Sequence, residues 1–403
     1  MELTTPCTFY TQPDVATHRQ TSSSLYSSTQ TLGESHDNIT DYLEYKIATR
    51  VTLVYIPILA SLGIVGNMLS LCVLLFSSFR KSPSSWYLAT IAVLDTMILV
   101  YSILDLLHRN LPYCAVYNDV TCPMIQFLFY FCVHSNVLVL VAMTIERFIV
   151  VRFPLRAVTL ITRKTTLAVI TGIGLFSFGL NLFNCFTRFM TTEETTGKCV
   201  CWTYGATNVF YITKVYPWLD SALYYIVPAT SLFIFNILIM VNVRHASKQR
   251  LAMESGLRKG HGHGQNQGQQ TQITSMLILV SFAFLILVSP IGIVLMVKRT
   301  GLAWTFTSMH GRAIDALLRM FTDNMMYTNH GVNFIFYCLS GQRFRDELKK
   351  VVCRLCLKRR RRERQRQQQQ RSRMTIFSAG SAMDLTTYAT SSSRVAFDTV
   401  SCL

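Results

Sequence analysis

The chain has 403 residues, half of them hydrophobic and 15% charged, whereas a typical soluble domain carries roughly 25% charged residues. Its 38 Lys and Arg against 21 Asp and Glu leave a formal charge of +17, with much of the excess crowded into Arg343–Arg373. That run follows the last apolar segment instead of covering a polar folded face, which argues against a nucleic-acid-binding domain and for an all-α membrane protein with a basic juxtamembrane tail.

Residues 1–50 read as a polar, Ser/Thr-rich, disordered arm. Asn38-Ile-Thr40 within it is a sequon, so Asn38 is a candidate glycosylation site. Met1–Tyr10 lacks a basic stretch followed by an apolar one, so the first crossing is expected to direct insertion. A window of about 19 residues then finds apolar stretches near 51–76, 85–107, 123–151, 167–187, 219–243, 273–297 and 313–339. Each can cross a hydrocarbon core of roughly 30 Å. Gly172, Gly174 and Asn181 interrupt the fourth, and the seventh carries Asp315, Arg319 and Asp323. The predicted membrane domain is 51–339, a seven-helix bundle.

Basic residues set its orientation. Arg80 and Lys81, then Arg152, Arg156, Arg163 and Lys164, then Arg244, Lys248, Arg250, Arg258 and Lys259 follow the first, third and fifth crossings. With the Arg-rich tail they define a cytoplasmic side, and the amino terminus is predicted outside. The segment 244–272 reads as a flexible cytoplasmic loop. Its Gly260-His261-Gly262-His263-Gly264 run admits a small metal site or a linker, and the missing further ligands favour the linker. No internal repeat is evident, which weakens a transporter reading.

Gly66-Asn67 lies in the first crossing, Asp95 in the second, Glu146-Arg147-Phe148 at the end of the third with Pro154-Leu155 beyond, Pro228 in the fifth, Phe284 and Pro290 in the sixth, and Asn329 with Asn333-Phe334-Ile335-Phe336-Tyr337 in the seventh, before Phe344. This ordered series resembles the rhodopsin-like (class A) G-protein-coupled receptors. The resemblance implies a plasma-membrane receptor without enzyme chemistry, coupled to a heterotrimeric G protein and answering to receptor kinases and arrestin. Glu146, Arg147, Phe148, Phe284, Pro290, Asn333 and Tyr337 would form its coupling and switch machinery.

An ionisable Asp95 in mid-membrane needs polar partners, and Asn67, Asn136, Asn329 and Asn333 are the candidates. The group is read either as a packing knot or, as the resemblance implies, as a sodium-responsive switch. Arg147 is read as the residue Glu146 restrains and a G protein releases, or as a snorkelling helix-end Arg. Four positions depart from the family pattern. Phe334 replaces a Pro, so a weaker kink is expected; Val288 replaces a Trp; the fourth helix has no Trp; and Gln270 stands where many relatives carry an acid facing Arg147.

The seventh stretch has no Lys for a Schiff base, Tyr327 taking that place, and the outer third helix has Phe129 and Tyr130 where amine receptors carry Asp. Thr144–Phe148, Val151–Ala157 and Asn333–Cys338 resemble the invertebrate neuropeptide receptors that include the FMRFamide-receptor group. That likeness implies an extracellular peptide ligand, an amidated RFamide-type peptide among the options. A different ligand on the same fold, or a seven-helix channel or transporter, are the rival readings. Ligand contacts are expected from Asp105, Gln126, Phe129, Tyr130, Asp220, Asp323 and Tyr327. The acids could pair with a cationic peptide, or with Arg109, Lys214 or Arg319 instead. Trp218 is either a ligand aromatic or an interface anchor.

Cys122 opens the third helix, where the family's bridge begins, and its partner is Cys199 or Cys201. The other loop cysteine could join Cys114 or Cys7. Residues 340–356 are predicted to form an amphipathic membrane-surface helix, with Phe344, Leu348, Val351 and Val352 on one face. Cys353 and Cys356 are palmitoylation candidates, and Arg359–Arg362 would meet anionic lipids. Residues 357–403 read as a disordered cytoplasmic tail. Thr386, Thr387, Thr390 and Ser391–Ser393 are candidate phosphorylation sites, and Ser401-Cys402-Leu403 is a candidate PDZ-domain ligand.

Overall fold

The computed structural model describes residues 38–111, 116–192, 199–254, 264–299, 308–353, 363 and 365. In chain order the main elements are α1 (Leu43–Phe76), α2 (Ser84–Asn110), α3 (Thr121–Arg152), the short α4 (Pro154–Leu160), α5 (Arg163–Asn181), α6 (Asn184–Thr187), β1 (Phe189–Thr192) and β2 (Cys199–Trp202). There follow α7 (Ala206–Phe210), α8 (Tyr216–Ser221), α9 (Val227–Glu254), α10 (Gly264–Arg299), α11 (Met309–Gly331) and α12 (Asn333–Ser340). Six helical spans among the described residues are long and apolar enough to cross a membrane, at Leu43–Phe76, Ser84–Asn110, Thr121–Arg152, Arg163–Thr187, Ala206–His245 and Leu277–Lys298. The seventh crossing, α11 with α12, falls outside that criterion because α11 carries Arg312, Asp315, Arg319 and Asp323.

α3 is the central helix, touching α2, α5, α9 and α10, while α1 packs on α2 and α11 and α10 on α11. Leu74, Ile98, Leu99, Val137, Met143, Leu232 and Ile239 fill the interior. Leu62, Leu175 and Ile286, each 65–70% exposed, show that the outer surface is apolar too. A bundle greasy on both sides suits lipid, where helices meet through close packing of small residues. Gly63 and Gly331 provide that approach: a Cβ on Gly63 would stand 2.8 Å from Gly331 Cα.

Several boundaries differ from the sequence reading. α1 begins at Leu43, not at 51, because its polar first turns are docked: Glu44 lies 3.2 Å from His310 of α11, and Tyr42 stacks on the same ring at 5.0 Å. The predicted flexible loop is helical at both ends, since α9 runs to Glu254 and α10 starts at Gly264, and Gln is a good helix former. His261 and His263 lie outside the described residues. The fifth crossing contains two π-helical segments, Tyr211–Val215 and Ala222–Ile226. They hold the residues four before Pro217 and Pro228, the carbonyls whose i−4 bonds proline cannot make. The seventh crossing is broken despite Phe334: the helix stops at Gly331 and restarts at Asn333 around Val332, at φ −97° and ψ −5°. Close approach of Leu59 to Gly331 accompanies this break. The hairpin of β1 and β2, pairing Phe189 with Trp202 and Thr192 with Cys199, had no counterpart in the sequence reading.

From Arg343 the chain forms a second unit. Residues 343–353 are helical there, with Phe344 and Val351 buried and Arg345, Lys349 and Lys350 exposed. Val352, expected on the apolar face, is 41% exposed. Cys353 is half-buried. Cys356, Arg359–Arg362, the hydroxyl cluster and Ser401–Leu403 lie outside the described residues, as does the predicted arm before Asn38. Asn38 itself is exposed and caps the turn Ile39–Asp41, its side chain accepting from Thr40 N.

Candidate functional site

Among the described residues, three polar sites interrupt the apolar bundle. The first surrounds Asp95, fully buried midway along α2. Its Oδ1 accepts from Asn136 Nδ2 at 2.8 Å and faces His330 Nδ1 at 2.7 Å, and its Oδ2 accepts from Asn333 Nδ2 at 2.7 Å. A carboxylate only accepts, so Nδ1 carries the imidazole proton. Two of the four expected asparagines therefore reach the carboxylate. Asn67 instead donates to the His330 carbonyl at 3.1 Å, and Asn329, buried one residue before His330, makes none of these bonds. His330 was missed by sequence reasoning. The available signal was its spacing, three residues before Asn333 and so on the same helical face.

The second site lies at the end of α3. Arg147 Nη2 is 3.6 Å from Glu146 Oε1, and both side chains are 7% exposed. Glu146 is tied to two other helices: Ser84 Oγ donates to Oε1 at 2.6 Å and Thr166 Oγ1 to Oε2 at 3.2 Å. Arg147 Nε is buried without a hydrogen-bond partner. Phe148 packs its ring on Phe235 at 5.5 Å and Phe153 at 6.4 Å. Tyr337 and Phe284 are each 1% exposed, and Tyr224 meets Phe284 edge-on. Pro290 lies inside α10, with Val288 buried beside it. The side chain of Gln270 lies outside the described residues.

The third site lies at the opposite end of α3, where a disulfide joins Cys122 to Cys201 of β2. Cys199 is buried and also disulfide-bonded, while Cys7 and Cys114 lie outside the described residues. Among the acids expected here, Asp105 forms an ion pair with Arg109. Asp323 is half-buried in the field of Arg109 and Arg319. Arg319 itself pairs with Asp315 at 2.8 Å, and Lys298 pairs with the same carboxylate.

Asp220 differs from these, since its Oδ1 lies 3.2 Å from Nε2 of His134, a residue with no exposed surface. A chain of bonds fixes that imidazole. Tyr216 OH donates to Asn181 Oδ1 at 2.8 Å, and Asn181 Nδ2 faces His134 Nδ1 at 3.1 Å. With Nδ1 accepting, the proton is on Nε2 and is donated to Asp220. The Asp220 side chain is 14% exposed and backed by a buried network. His134 was not singled out from sequence, and neither was its role as the acid's partner. Aromatic rings line the same region: Tyr130 stacks on His134 at 6.1 Å and meets Tyr216 at 5.2 Å, and Phe129 lies 4.1 Å from Tyr101. Gln126 and Tyr327 are buried there. Trp218 is 45% exposed, the placement of an interface anchor.

The sequence model described as 7 transmembrane receptor (rhodopsin family) matches residues 66–337. The thyrotropin-releasing hormone receptor of Mus musculus is 31% identical over 135 residues, 34% of each chain. That of Gallus gallus is 34% identical over 119 residues, 30% of this chain and 29% of its own. Neuromedin-U receptor 2 of Rattus norvegicus is 24% identical over 306 residues, 73% of each. The chain thus spans about a third of the length of the thyrotropin-releasing hormone receptors it matches. With the match covering the bundle from Gly66 in α1 to Tyr337 in α12, the chain belongs to the rhodopsin family of seven-transmembrane receptors, multi-pass plasma-membrane proteins that are receptors and not enzymes.

Proposed function

We propose that this chain is a neuropeptide receptor with its amino terminus outside the cell, which activates a heterotrimeric G protein docked beside Arg147. The buried Glu146–Arg147 pair carries the reading. Glu146 is anchored to α2 and α5 through Ser84 and Thr166, so it is a fixed restraint against which Arg147 can be released. The relatives' names, for thyrotropin-releasing hormone and neuromedin U, support an extracellular messenger as ligand. Asp220 with the Tyr130 and Tyr216 rings supports a ligand presenting a cation beside aromatic surface. An Arg next to an amidated aromatic residue, the RFamide chemistry, meets both demands.

The test is a panel of synthetic amidated peptides applied to cells expressing the chain, read by calcium and cAMP. A concentration-dependent response that disappears with Arg147→Ala at equal surface expression supports the proposal. Ion current or substrate flux in place of G-protein activation would favour the channel or transporter reading.

A further inference from the structure

The resemblance to rhodopsin-like receptors implies a sodium ion beside Asp95, and the residues of this chain do not fit one. A hard cation takes oxygen ligands. Around the Asp95 carboxylate three nitrogens approach instead: Asn136 Nδ2, His330 Nδ1 and Asn333 Nδ2, at 2.7–2.8 Å. An Asn amide can turn its oxygen inward, but an imidazole has no oxygen to offer. Nor can His330 withdraw. Its side chain is wholly buried, and Asn67 holds its carbonyl at 3.1 Å. Gly331, the next residue, is packed so closely that a Cβ would stand 2.8 Å from Leu59 Cδ1.

We infer that His330 takes the place of the ion: its N–H is the internal partner of Asp95, and no sodium binds there. A ligand that binds one conformation shifts an equilibrium only through that binding. The balance of states in this receptor is therefore independent of sodium, and the contact between α2 and α11 is built permanently into the chain. The inference stands apart from the identity of the peptide and of the G protein.

The full-length receptor, purified in lipid nanodiscs without ligand, tests this by its melting temperature in sodium chloride against potassium chloride at equal ionic strength. Wild type should show no difference. His330→Ser opens the space and supplies a hydroxyl oxygen, and should gain a sodium-specific rise of about 2–4 °C, as for an ion at a few times its Kd. His330→Asn, which keeps a donor and adds a carbonyl oxygen, should gain a rise in the same direction and serves where the Ser variant does not fold. Adding Asp95→Asn to either variant should remove the gain. A sodium-specific rise in wild type would overturn the inference. So would sodium independence of both folded His330 variants, because the imidazole would then not be what excludes the ion.

Discussion

Arg147 Nη2 and Glu146 Oε1 lie 3.6 Å apart, an ion pair too long to be a hydrogen bond, while Ser84 donates to the same oxygen at 2.6 Å. The proposed restraint on Arg147 is thus electrostatic, and Glu146 is shared with two hydroxyls. Arg147→Ala should abolish agonist-stimulated G-protein activation while surface expression stays near wild type. Glu146→Gln keeps an acceptor for Ser84 but removes the charge, and should raise basal signalling. Gln270→Glu adds the acid that the resemblance to the family leads one to expect there and should lower it. Basal cAMP or calcium measured at matched expression decides; unchanged basal output in both of these variants would sink the restraint idea.

The disulfide gives a second expectation. Cys122 and Cys201 join the start of α3 to β2, so either cysteine changed to Ser should cost the fold about 2–5 kcal/mol and reduce surface delivery. The double variant should be no worse than the singles, since one bond is lost in each case. Non-reducing peptide mapping that finds Cys122 as a free thiol, or bonded to Cys199, would refute the pairing.

Glycines separate close packing from mere permissiveness. A Cβ on Gly63 would stand 2.6 Å from Leu99 Cδ1 and 2.8 Å from Gly331 Cα, and one on Gly66 would stand 2.9 Å from Phe334 Cβ. Gly63→Ala should therefore lower stability by about 1–3 kcal/mol, the scale of overpacking. Gly172 in α5 has nothing within 4 Å of the same position. Gly172→Ala should be neutral or stabilising by up to about 1 kcal/mol through helix propensity. Equal melting temperatures for the Gly63 and Gly172 variants would show that α1 and α11 are not locked together in the membrane.

The helices were legible because lipid imposes a simple demand, long apolar runs with internal backbone bonding, and the chain meets it from α1 to α10. Asp95 with Asn136 and Asn333 was legible for the related reason that a buried acid must find partners. His330 and His134 were not, since an intramembrane histidine reads equally as core or as ligand until its neighbours are known. The contact of α1's first polar turns with His310, the break at Val332 and the hairpin of β1 and β2 were hidden for another reason. The first two depend on contacts between segments far apart in sequence and the hairpin on backbone pairing, neither of which hydropathy registers.

Asp220 offers the sharpest test of ligand chemistry. Asp105 pairs with Arg109, and Asp323 lies in the field of Arg109 and Arg319, so a peptide cation approaching either must compete with a resident guanidinium. At Asp220 a buried histidine, whose other ring nitrogen is occupied by Asn181, orients the carboxylate. For an amidated peptide carrying Arg near its end, Asp220→Asn should weaken binding by roughly 2–5 kcal/mol, the scale for losing one partner of a desolvated charge pair. Asp105→Asn and Asp323→Asn should cost less. His134→Leu leaves the charge but removes its orienting bond, and should cost about 1–3 kcal/mol. Replacing the peptide Arg with citrulline, neutral and nearly isosteric, should weaken wild type strongly and scarcely weaken Asp220→Asn further, because the two changes delete the same contact. If the losses instead add at Asp105, Asp220 and Asp323 alike, the peptide's Arg is recognised elsewhere, and Asp220 with His134 is part of the helix packing between α3 and α8.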